Sequence, residues 1–137
     1  MERLRTPVRL LLAVFMAFAG LGHFRSTEAF LGQTPSFLPF RTEIVLVSGA
    51  VEIAFALAIV AWPARRRLVG QALALFYVAI FPGNIYQAIA GTSSFGLDTP
   101  GRRIVRLFFQ PVLVLAALWA TGWPRYDAGS DHEEARR

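Results

Sequence analysis

Four long blocks of apolar sequence, at 8–24, 44–62, 68–90 and 104–123, make up most of the chain. A helix that crosses a bilayer needs roughly 17–25 predominantly apolar residues, and each block meets that length, the first at its lower limit. Inside a bilayer the backbone must satisfy its own hydrogen bonds, so a run of this kind folds as a helix. None of the four carries the solvated polar stripe of a helix lying on a soluble core. The expectation is an all-α fold: one integral membrane four-helix bundle over residues 1–124. A charged tail, 125–137, should follow it as a disordered cytoplasmic segment.

Glu52 interrupts the second block. Strongly apolar residues contribute about −0.3 to −0.6 kcal/mol each to insertion and a central acid costs about 2.5–3.5 kcal/mol, so the block still inserts. An acid carried into a membrane is a functional-site hypothesis by default. As a lone buried carboxyl, Glu52 would hold or pass a proton; paired with Arg106 or His23, it would tie two helices together.

The other polar residues cluster at one level. With a rise of about 1.5 Å per residue, His23 and Arg106 fall within about 3 Å of one membrane edge. By the same measure Gln87 lies about 4–5 Å down, Asn84 and Gln110 about 9 Å, and Glu52 about 12 Å. Every span thus contributes to the same half of the bilayer, which predicts one polar pocket opening toward that edge. Ser48, Gly49, Glu52 and Ala56 share a helical face, as do Met16, Ala19, Gly20 and His23, and small residues beside a polar one mark a face packed on other helices. Pro82 and Pro111 sit in the same half. Each frees a backbone carbonyl one turn earlier, at Val78 and Leu107, and should kink its helix and widen the mouth. Within the pocket Glu52 and His23 are the candidates for proton exchange. Asn84, Tyr86, Gln110 and Arg106 are the candidates for ligand binding, with hydrogen-bonding glue and helix anchoring as their plainer roles.

Composition removes several chemistries. The chain has no cysteine, so it carries no disulfide, thiolate metal site or iron–sulfur cluster of its own. It has two histidines, one of them in the charged tail, and no metal site is expected. All 14 basic residues are arginines; they flank the spans without interleaved aromatics, so the net charge of +5 does not indicate nucleic-acid binding. Nine arginines lie on the side of the termini and the 63–67 turn and five on the other, out of the 14. That bias places both termini in the cytoplasm.

The runs Ala19-Gly20-Leu21-Gly22-His23-Phe24, Ser48-Gly49-Ala50-Val51-Glu52-Ile53 and Phe81-Pro82-Gly83-Asn84-Ile85-Tyr86, with Arg-Leu-Phe-Phe-Gln-Pro at 106–111, resemble the DoxX family of small bacterial and archaeal membrane proteins. The similarity covers about residues 7–123. It implies a four-helix membrane fold, and some relatives are linked to thiosulfate:quinone oxidoreduction or to membrane-associated oxidoreductase complexes. His23, Glu52, Pro82, Asn84 and Tyr86 are the positions it carries over. The resulting expectation is a multi-pass protein of the bacterial inner membrane, an accessory or small subunit of a redox or stress system rather than an autonomous enzyme. Its pocket would take a quinone-like ligand, with no intrinsic cofactor. Electrons would come from a redox partner protein or a soluble reductant, and a homo-oligomer is compatible with the sequence. The alternative is a non-enzymatic membrane scaffold or small transporter.

Overall fold

The computed structural model describes residues 2–123, so the 125–137 tail and its expected disorder lie outside the described residues. Five α-helices follow one another: α1 (Glu2–Arg25), α2 (Thr27–Leu31), α3 (Arg41–Ala61), α4 (Arg66–Ala90) and α5 (Pro100–Thr121), with a 3-10 turn at Pro63–Arg65 between α3 and α4. Four of them (α1, α3, α5, and α4 with its preceding turn) are long and apolar enough to cross a bilayer. The chain is an all-α bundle with the character of a multi-pass membrane protein. Its outer surface fits lipid, with Leu11, Val14, Phe18, Val105 and Phe108 all well exposed.

The helices start before the apolar blocks do. Thr99 caps α5, its hydroxyl accepting from the Arg102 N–H at 3.3 Å, and Pro100 takes the first helical position, where a missing N–H costs nothing. Gly91 and Gly122 end α4 and α5 with φ of 69° and 102°, the left-handed conformation that a glycine adopts without strain. Hydropathy does not see such ends, because capping residues are polar.

Lipid is as apolar as leucine, so these helices associate by close packing rather than by a hydrophobic force between them. The chain supplies that packing in two antiparallel pairs. Where α1 crosses α3, a Cβ on Gly20 would lie 2.8 Å from the Gly49 carbonyl, and one on Gly49 would lie 2.5 Å from the His23 Cβ. Where α4 meets α5, a Cβ on Gly70 would fall 1.8 Å from the Thr121 hydroxyl. On α3 the buried positions are Val45, Gly49, Glu52, Ala56 and Ile59, alternating three and four apart down one face.

The two pairs join at the end where α1 begins and α5 finishes. There Leu12 and Met16 of α1, Ala56 and Ile59 of α3, Leu73 of α4 and Ala117 and Ala120 of α5 form one apolar core. Arg9 of α1 donates to the Ala120 carbonyl at 3.0 Å. Toward the opposite end, which carries the long 26–40 and 91–99 connections, polar residues replace that core.

Candidate functional site

The polar half encloses a cavity of about 700 Å³, within the range of small-molecule sites. All four long helices line it: His23 from α1, Glu52 from α3, Tyr77 and Asn84 from α4, Arg106 and Gln110 from α5. Most of the remaining lining is apolar.

Glu52 and His23 are 6% and 7% exposed and meet across the α1–α3 crossing. The crossing positions them: the glycine at 49, one turn before Glu52, lets the His23 side chain lie directly on α3. His23 Nδ1 lies 2.7 Å from the Val45 carbonyl oxygen. That oxygen can only accept, so Nδ1 carries a proton and donates it. Nε2 then faces Glu52 Oε2 at 3.4 Å. With Nδ1 protonated, a neutral ring and a charged carboxylate would set two lone pairs against each other. One proton held between Nε2 and Oε2 removes that conflict, as an imidazolium beside a carboxylate or as a carboxyl beside a neutral ring. Apart from that 3.4 Å approach of His23, the fully buried Oε2 has no hydrogen-bond partner among the described residues.

The second polar group is fully oriented. Gln110 Nε2 donates to the Tyr77 carbonyl at 2.7 Å, one residue before the carbonyl that Pro82 frees. Gln110 Oε1 accepts from Asn84 Nδ2 at 3.2 Å and from Arg106 Nη1 at 3.3 Å. The Arg106 guanidinium also sits over the Phe109 ring, 5.9 Å from its centre. Asn84 thereby spends one N–H and, among the described residues, keeps the other and its carbonyl oxygen for a guest. The Tyr77 hydroxyl rests on the Met16 sulfur at 2.9 Å, a weak acceptor.

The two long connections roof the cavity. Phe30 of α2 stacks on the His23 ring with centres 3.7 Å apart, and Phe95 meets Phe30 edge-on at 4.7 Å. The roof is pinned to the helices through backbone carbonyls. Arg41 donates to Leu31 O at 2.6 Å and Thr34 O at 2.8 Å. Arg103, itself buried, holds Leu97 O at 2.9 Å and Asp98 O at 3.2 Å, and the Ser94 hydroxyl donates to Ala29 O. Gly83 leaves room for the Gln33 carbonyl, which a Cβ there would meet at 2.8 Å.

Of the residues singled out from the sequence, the structure brings His23, Glu52, Asn84, Arg106 and Gln110 to one cavity. Tyr86 lies apart from them. It is two residues from Asn84, which turns it to another face of α4, and its hydroxyl donates to Ser36 Oγ at 3.2 Å and accepts from Ser36 N at 3.3 Å. It ties the roof down and lies outside the cavity lining. Pro82 and Pro111 also lie outside the cavity lining. Both are exposed on the lipid-facing side of helices that run unbroken through them. His23 is in the site, with both ring nitrogens facing protein atoms, Val45 O and Glu52 Oε2. Tyr77 and the roof residues Phe30, Gln33 and Thr34 were not singled out. Tyr77 reads as one more aromatic in an apolar run, and no periodicity signals a roof. The one available sign was the aromatic, proline-broken composition of 26–40.

Residues 12–121 match the family described as Domain of unknown function (DUF8561), and the chain belongs to that family. No curated protein and no solved structure matches the chain.

Proposed function

We propose that this member of the family binds a lipid-soluble, carbonyl-bearing ligand of the quinone class in its polar half and exchanges a proton with it. One observation carries this reading: a buried acid, Glu52, lines a roomy cavity together with the polar side chains of Asn84, Arg106 and Gln110. Magnitudes weigh against a purely structural role. A central acid costs about 2.5–3.5 kcal/mol to insert, while a hydrogen bond between membrane helices returns about 0.6 kcal/mol on average. A 3.4 Å approach to His23 does not close that gap.

In this reading Asn84 donates its second N–H to a ligand carbonyl, and Gln110 and Arg106 hold Asn84 in place. The His23–Glu52 pair stores the proton that the ligand takes or returns. Reducing a quinone to its quinol takes two electrons and two protons: the pair provides one proton and is reloaded from water to provide the second. The electrons come from a partner protein or soluble reductant, since the chain has no cysteine to carry them. The similarity to DoxX proteins points toward an accessory subunit of a redox or stress system. The arginine bias points toward a bacterial inner-membrane protein with its roof outside and its termini in the cytoplasm.

The test is thermal unfolding of the detergent-purified protein with and without decylubiquinone. A ligand at 100 times its Kd stabilises by about 2.7 kcal/mol, so a clear upward shift is expected, and Asn84→Leu should abolish it. A wild-type protein that carries no quinone and does not respond to added quinone contradicts the reading.

A further inference from the structure

The cavity's two sides differ in how they are closed. On the roof side, Arg41, Arg103 and Ser94 fix backbone carbonyls of both connections, and Phe30 and Phe95 lie across the top. Between α1 and α5 the boundary is made differently. The two helices are joined at the terminal end, through Arg9 and the core around Met16 and Ala117, and no hydrogen bond joins them at the cavity's level among the described residues. There the border on α1 is Phe15 and Phe18, which line the cavity while being 39% and 79% exposed. Phe15 meets Phe109 of α5 edge-on at 6.4 Å, forming the sill below the gap. These aromatics lie at membrane depth, so what they face is lipid. Arg106 stands above the sill, half-buried, its Nη1 spent on Gln110.

We infer that the ligand enters sideways from the bilayer between α1 and α5, and that its long apolar tail stays in that gap across Phe15 and Phe18 while its head reaches Asn84 and Glu52. This rests on the proposed function and narrows the ligand to a two-part molecule, a compact polar head on an apolar tail. The physical reason is that moving the roof would break several charge-assisted and backbone hydrogen bonds. Parting Phe15 from Phe109 gives up one edge-on aromatic contact and no hydrogen bond.

The chain has no cysteine, so a single introduced thiol reports on one place. The experiment measures the rate of N-ethylmaleimide labelling in Phe18→Cys, with Leu57→Cys, exposed on α3 outside the cavity lining, as the control. Phe109→Cys, on the opposite jamb, gives the same reading should Phe18→Cys not fold. Each protein is labelled alone, with decylubiquinone, and with duroquinone, which has a fully substituted quinone ring and no tail. Thermal shifts establish binding in parallel. The expected result is that both quinones stabilise the protein, that decylubiquinone slows labelling at position 18 on the order of tenfold, and that duroquinone leaves it unchanged. Labelling at position 57 should respond to neither. Stabilisation by decylubiquinone with no protection at position 18, or equal protection by both quinones, overturns the lateral route and leaves the proposed function standing. No stabilisation by either quinone overturns both.

Discussion

Replacing His23 with leucine should destabilise the protein by about 3–5 kcal/mol, the range for removing one member of a buried charged pair. Leucine keeps an apolar side chain over Gly49 and under Phe30, so the cost falls on Glu52, whose Oε2 lies 3.4 Å from His23 Nε2 and has no hydrogen-bond partner among the described residues. The reverse change should be mild. Glu52→Gln gives the ring a neutral N–H donor for Nε2, and Glu52→Leu removes the buried acid outright, a replacement that is often neutral or stabilising. The double variant His23→Leu with Glu52→Leu should therefore recover most of what His23→Leu alone loses. Unfolding in detergent micelles, run as a double-mutant cycle, reads the coupling directly. Costs that simply add would show that the two residues do not share a proton. Glu52→Gln separates the roles: it should spare assembly and remove proton-linked activity.

The second large effect is expected far from the cavity. Gly70→Ala should cost about 1–3 kcal/mol through overpacking, although alanine is the better helix former. Its Cβ would lie 1.8 Å from the Thr121 hydroxyl and 2.5 Å from the Thr121 Cβ. Thr121 cannot swing away cheaply. It is β-branched, and its hydroxyl donates to Ala117 O at 2.7 Å. The α4–α5 pair must separate instead, and the same pair orients Asn84 against Gln110. Thr121→Ala in the same chain should restore part of the loss and not all of it, since the Thr121 Cβ remains in the way. Thermal unfolding of the three variants checks this, and an unperturbed Gly70→Ala would show that the helices are not in contact there.

The contrast between these two sites indicates what a sequence of this kind discloses. Span composition implies the helices, and helical rise implies the level of each polar group, so the shared depth of Glu52, Asn84 and Gln110 was readable. Direction was only partly so. Gly49 and Ala56 mark the packed face of α3 because small residues flank Glu52. Tyr86 could have been set aside from its spacing alone, since residues two apart on a helix face different ways and Asn84 was already assigned inward. The prolines imply freed carbonyls and, from sequence alone, a wet opening beside them. Beside Pro82, the Tyr77 carbonyl instead receives Gln110, and the ring itself turns to lipid. The pairing of Gly70 with Thr121 and the roof over His23 depend on contacts between segments distant in sequence, which no local pattern encodes. Arg41 and Arg103 illustrate this well. Each looks like an interfacial anchor in sequence, and each turns out to hold loop carbonyls over the cavity.

Native mass spectrometry of the protein released gently from its membrane tests the central claim most directly, namely that polar groups from all four long helices surround one cavity built to hold a tailed, carbonyl-bearing ligand. The predicted spectrum shows a single small molecule per chain with the mass of a lipid-soluble quinone, retained by the wild type and absent from Asn84→Leu. A wild-type protein that arrives at its bare polypeptide mass, or with the same adducts as Asn84→Leu, would contradict the account.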